Sequence, residues 1–137
     1  MITVHHLRDT LLTGDGRIGR LPFLLGIGGL AGLSLVVDLL PDDGAVGLVA
    51  TGLRLPLLFS LACLLSQRLH DIGRAGWWLW PVLGGLFALN ALSDGEATAG
   101  AALLVVGVLG LWPGQAVFNR YGAPPAGPLS ATGPKTS

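Results

Sequence analysis

His70 and Asp71 stand side by side in "QRLHDIGRAGWWLW", residues 67–80, with Arg68 before them and Arg74 after. An imidazole next to a carboxylate is material for a divalent-metal site or for general acid–base chemistry. Neither chemistry finds its remaining parts. A metal-dependent hydrolase needs several ligands, and the other histidines, His5 and His6, lie at the far N-terminus. Helical neighbours at i and i+1 do not face each other, so the dipeptide does not supply the base and orienting acid of a Ser-His-Asp arrangement. A second motif, "GDGRIG" at 14–19, matches G-x-G-x-x-G letter for letter. The dinucleotide fingerprint also needs a preceding buried strand and an acidic residue about 20 positions on. Here a polar leader precedes it and an apolar run follows, so it is read as a flexible turn that puts Arg17 and Arg20 at headgroup level. Cys63 is the single cysteine, which excludes an intrachain disulfide and a thiol-rich metal site and leaves it a small hydrophobe. No catalytic, cofactor-binding or metal-binding residues are expected, and the chain is read as a non-enzyme.

Two ionisable residues sit within apolar sequence, Asp38 and Arg54. Side chains lean toward the N-terminus of their helix, so Arg54 snorkels toward Asp38 and the two are expected to pair. Intramembrane charges are functional hypotheses by default, and this pair is the alternative site, for transport. Asn90 is a weaker candidate for an interhelical hydrogen bond, and Gly28-x-x-x-Gly32 offers a face for close helix packing within the chain or between copies.

The elements that must hold these residues are set by composition. Of 137 residues, 51% are hydrophobic and only 12% charged, where soluble domains carry about 25%. Mean hydropathy is +0.67, and lipid is the solvent this implies. Glycine is abundant, with 22 residues, as it is in transmembrane helices. Net charge is zero and no arginine-rich aromatic face appears, which argues against nucleic-acid partners. Four apolar spans follow, about 21–40, 45–67, 77–92 and 97–112, the last two near the lower length limit. The first is longer than a signal-peptide core and lacks a small-x-small cleavage site, so it is expected to stay in the mature protein.

Charge placement orients the spans. Arg8, Arg17 and Arg20 precede the first, Arg68 and Arg74 fall between the second and third, and Arg120 and Lys135 follow the fourth. The other connections hold Asp42 and Asp43, then Asp94 and Glu96, with no basic residue. By the positive-inside rule the basic side is cytoplasmic. The expected fold is all-α, an integral membrane four-helix bundle over 21–122 with both termini cytoplasmic. A re-entrant hairpin over 77–112 is the other topology, at the cost of placing Asp94 and Glu96 deep in the membrane. Residues 1–20 form a cytoplasmic or interfacial segment, in which Val4, Leu7 and Leu11 have the spacing of a surface helix. The tail 123–137, rich in Pro, Gly and Ser, is expected to be disordered.

Within this frame the 67–80 stretch reads as a reversal at the inner interface. Arg68 and His70 complement the end of the second helix if it continues to about Ile72. Asp71 can pair with Arg68 or Arg74, and Gly73 suits a left-handed cap. Trp77, Trp78 and Trp80 form an aromatic belt, and Pro81 falls in the first turn of the next helix.

Three blocks, "GRIGRLPF", "RLHDIGRAGWW" and "PGQAVFNRYGAPP", resemble the small bacterial inner-membrane proteins grouped as Domain of Unknown Function 805, DUF805. The resemblance rests on Gly16, Arg17, Arg20 and Phe23, on Arg68 to Asp71 with Gly73, Gly76, Trp77 and Trp78, and on Pro113, Gly114, Asn119, Tyr121, Gly122 and Pro125. Leu21, Pro22, Gln67, Ala75, Val117 and Pro124 depart from the usual pattern. The resemblance implies a plasma-membrane protein of few helices with no established reaction. Because all three blocks fall on the basic side, Arg17, Arg20, Arg68, His70, Asp71, Arg74, Asn119 and Tyr121 are expected to gather into one interfacial polar cluster. The leading functional expectation is a module that binds anionic lipid headgroups or a protein partner through that cluster. The alternative is a small oligomeric transporter or channel using Arg54 and Asp38. Membrane lipids, a second copy or another membrane protein are the expected partners, with no nucleotide.

Overall fold

The computed structural model describes residues 12, 14–41, 43–93, 96–125 and 131–132. Four helices make up most of it: α1 Arg20–Asp38, α2 Gly44–Asp71, α3 Leu79–Leu92 and α4 Glu96–Leu111, with a 3-10 turn at Gly76–Trp78 leading into α3. Two of them, α1 and α2, are long and apolar enough to cross a membrane. Their bounds follow the expected spans within a few residues, except that α2 runs on past 67 to Asp71. The polar signature is therefore first a helix end and only then a turn.

Local chemistry accounts for these ends. Pro22 sits in the first turn of α1, where a missing N–H is tolerated, and Pro41 lies just past its end. Pro81 does the same in α3. At the close of α2 the Gly73 N–H donates to the His70 carbonyl at 3.0 Å and the Arg74 N–H to the Leu69 carbonyl at 2.8 Å. That is a Schellman cap, and Gly73 has the left-handed φ of +85° it requires.

α1 packs on α2 and α4, and α3 packs on α4. Contact between α1 and α2 is close at Gly26, where a Cβ would lie 2.9 Å from Leu64 Cδ1. A Cβ on Gly28 or Gly32 would meet nothing within 4 Å, so among the described residues that small-residue face makes no close contact. The buried apolar cluster is Ile18, Phe23, Leu64, Leu65, Leu69 and Leu79, gathered at the end where α1 and α3 begin and α2 stops. Elsewhere large apolar side chains face outward on all four helices, among them Leu35, Leu48, Leu55, Phe87 and Leu103.

Two short strands were not anticipated. β1, Arg17–Ile18, pairs antiparallel with β2, Ala131–Thr132, with Arg17 opposite Thr132 and Ile18 opposite Ala131. The tail has little to bury, yet main-chain pairing needs no apolar side chain, so a segment read as disordered contributes a strand here. The rest of that tail from 126, the Val4, Leu7 and Leu11 stripe, Asp42 and Asp94 lie outside the described residues.

Candidate functional site

Arg68 and Asp71 lie three residues apart on one face of the last turn of α2, the spacing at which helical side chains meet. Arg68 Nη1 donates to Asp71 Oδ2. The other carboxylate oxygen is taken by a residue far off in sequence: Arg17 of β1 contacts Asp71 Oδ1 through Nη2 at 3.0 Å and Nε at 3.1 Å. Both arginine side chains are 0% exposed and that of Asp71 is 5% exposed. Two guanidiniums thus share one carboxylate away from solvent.

Main-chain oxygens compensate the excess positive charge. Arg17 Nη1 donates to the carbonyls of Val117 at 2.8 Å and Gly122 at 3.3 Å, and Nη2 donates to those of Gln115 and Asp71. Arg68 Nε donates to the Leu109 carbonyl at 2.7 Å, Nη1 to that of Ile18 at 3.2 Å and Nη2 to that of Trp112 at 2.5 Å. Leu109 and Trp112 bracket the C-terminus of α4, whose last carbonyls have no intrahelical donor and carry the negative end of the helix dipole. Arg68 thereby ties the end of α2 to the end of α4. Arg17 ties the leader to the segment 115–122 that follows α4.

That segment passes too close for side chains at one point. A Cβ on Gly114 would collide with the Asp71 carboxylate, and the Gln115 N–H donates to the Asp71 carbonyl at 2.8 Å. Asn119 Nδ2 donates to the His70 carbonyl and to Gln115 Oε1, both at 3.0 Å, while its Oδ1 accepts from the Tyr121 N–H at 2.9 Å. The Tyr121 ring stacks on His70 with centroids 3.7 Å apart and planes within 7°. His70 Nδ1 donates to the Gly16 carbonyl at 3.2 Å, and Ser66 Oγ to that of Gly14 at 3.3 Å. All three sequence blocks therefore converge on one knot.

Of the expected cluster, Arg17, Arg68, His70, Asp71, Asn119 and Tyr121 come together. Arg20 and Arg74 do not enter it. Arg20 is exposed at the start of α1, and Arg74 is exposed with its Cζ 5.9 Å from the Trp78 ring centroid. Arg120, outside the expected set, is exposed with its Cζ 4.8 Å over Tyr121. Within the Gly14–Gly19 stretch Arg17 is buried inside the protein, because a carboxylate and four carbonyls surround its guanidinium. Asp71 takes Arg68 and Arg17 as its partners. Trp77, Trp78 and Trp80 are all exposed, the first two stacked with centroids 5.2 Å apart.

Sequence reasoning did not find Gln115, or the acceptors on Leu109, Trp112 and Val117. Main-chain carbonyls are independent of residue type and leave no mark in a sequence. Gly114 stood in the sequence only as a residue of the family resemblance, and its bulk limit emerges from the fold. At the opposite end of the molecule Arg54 Nη2 and Asp38 Oδ1 are 3.1 Å apart, both side chains partly exposed. Among the described residues no group of three or more His, Cys, Asp or Glu side chains is placed to hold a metal ion. The charged groups Arg17, Arg68 and Asp71 of the knot are engaged with one another.

A family model described as "Protein of unknown function (DUF805)" matches residues 11–123. No curated protein and no solved structure matches the chain. Every residue of the knot, from Gly14 to Gly122, falls within the matched region, and the chain belongs to the DUF805 family.

Proposed function

We propose that the chain is a multi-pass protein of the bacterial inner membrane with both termini cytoplasmic, and that its inner rim binds anionic lipid headgroups without catalysing a reaction. α1 rises about 28 Å and α2 about 42 Å, against a hydrocarbon core of about 30 Å. The outward-facing leucines, valines and phenylalanines on all four helices exceed what a soluble monomer exposes. α3 and α4 are shorter, and Trp77, Trp78, Trp80 and Trp112 extend them at headgroup depth.

One observation carries the binding assignment: Arg20, Arg74 and Arg120 are exposed around the knot, in company with exposed tryptophans, while Arg17 and Arg68 are buried within it. The knot is the scaffold and the three outer arginines are the contacts. Near an anionic surface each is worth about 1 kcal/mol. Native mass spectrometry of the purified protein with phosphatidylglycerol or phosphatidylcholine tests this. Wild type retains more phosphatidylglycerol, and the triple variant Arg20→Gln, Arg74→Gln, Arg120→Gln loses that preference; equal retention of both lipids by wild type would overturn it. Against transport through Asp38 and Arg54, the 3.1 Å contact between them holds the two charges together.

A further inference from the structure

A groove of about 410 Å³ runs between α1, α2 and α4, from residues packed against the buried apolar cluster to Asp38 and Arg54. It lies within the ~300–1,000 Å³ range of ligand pockets. Ile27, Leu30, Leu57, Leu61 and Val106 form its apolar walls, and Asp38 and Arg54 stand at one end. We propose that this groove holds one phospholipid whose headgroup carries a primary ammonium beside its phosphodiester, the ammonium on Asp38, the phosphate on Arg54 and one acyl chain along the apolar lane.

Length fits first. From Ile27 to Asp38 the α1 wall rises about 16 Å. One leaflet supplies half of a hydrocarbon core of about 30 Å, so an acyl chain anchored at Asp38 ends near Ile27.

Charge selects the headgroup. Asp38 and Arg54 together are neutral, with the carboxylate side chain 53% and the guanidinium 36% exposed. A purely anionic headgroup would satisfy Arg54 and set its phosphate against Asp38. A zwitterion with both charges within reach answers both. The ammonium must also donate hydrogen bonds to a carboxylate, which a quaternary amine has no N–H to do. Asp38 is the last residue of α1, whose final turn holds no basic side chain, so a cation placed there also complements the helix dipole. A guanidinium engages carboxylate and phosphate alike, and Arg54 serves both.

This site rests on the membrane placement proposed above but not on the inner arginines. Its test is native mass spectrometry with phosphatidylethanolamine and its mono-, di- and trimethylated forms, all with the same acyl chains. Retention by wild type is expected to fall stepwise with methylation, by about fivefold across the series, the equilibrium factor of about 1 kcal/mol for the N–H donors lost while the positive charge is kept. The Arg20, Arg74, Arg120 triple glutamine variant keeps that gradient, which separates this site from the inner rim. Asp38→Asn flattens the gradient, and Ala31→Trp, which fills the lane from an exposed position, lowers retention of every member. Equal retention of the four lipids by wild type would overturn the proposal, as would a gradient unchanged in Asp38→Asn. The wild-type series decides the matter even where a variant does not fold.

Discussion

Arg17 and Asp71 are 54 residues apart in sequence and in direct contact in the fold, their Nη2 and Oδ1 atoms 3.0 Å apart with the guanidinium wholly buried. The contact joins the leader to the end of the longest helix. Through Arg68 and the carbonyls of 109–122 the same carboxylate also holds the end of α4 and the segment after it. Removing Arg17 leaves Asp71 neutralised by Arg68 but takes the donor from the carbonyls of Gln115, Val117 and Gly122, and an acceptor left unsatisfied in a buried site costs about 1–3 kcal/mol. Arg17→Ala is expected to fall in that range, measured as thermal unfolding in detergent. Arg17→Lys is expected to recover little, because an ammonium cannot present the planar fork that meets Asp71 and four carbonyls together.

Gly114→Ala drives a methyl group into the Asp71 carboxylate. Overpacking of this kind costs about 1–3 kcal/mol. Gly84→Ala in α3 is the control, since a Cβ there meets nothing within 4 Å. It is expected to lie within about 1 kcal/mol of wild type, on the stabilising side, because alanine loses less backbone freedom than glycine in a helix. Equal melting temperatures for the two variants would contradict the close approach at Gly114.

Tyr121→Ala removes the ring stacked on His70 and is expected to cost about 0.5–1.5 kcal/mol beyond the area it uncovers. Tyr121→Phe keeps the ring and is expected to stay within about 0.5 kcal/mol of wild type. If both variants melt together well below wild type, the hydroxyl and not the stack holds the segment.

Reporter fusions after Ile72 and after Pro125 are expected to score as cytoplasmic, and fusions after Pro41 and after Ser93 as external. The knot end carries Arg17, Arg20, Arg68, Arg74 and Arg120, and a basic flank is retained on the cytoplasmic side. An external signal after Ile72 would reverse the orientation proposed here and with it the lipid leaflet each site faces.

Sequence alone determined the features that depend on neighbours within about one helical turn. The four helices, the Gly73 cap, Pro81 in a first turn and the reach of Arg68 to Asp71 are of this kind, since spacing and backbone chemistry decide them. The charge asymmetry of the connections is equally plain in the chain. The Asp38 and Arg54 contact was legible for a related reason: a short connection makes α1 and α2 antiparallel neighbours and brings their adjoining ends together. Tertiary structure decided which arginines are buried. Arg17, Arg20 and Arg74 look alike as residues flanking apolar runs, yet only Arg17 enters the knot, because the chain folds the Leu109–Gly122 carbonyls around it and Arg68. Those acceptors are common to every residue type, so their arrangement exists only once segments distant in sequence have packed together. The pairing of Ala131–Thr132 with Arg17–Ile18 arises in the same way, through main-chain groups that the composition of a tail does not reveal.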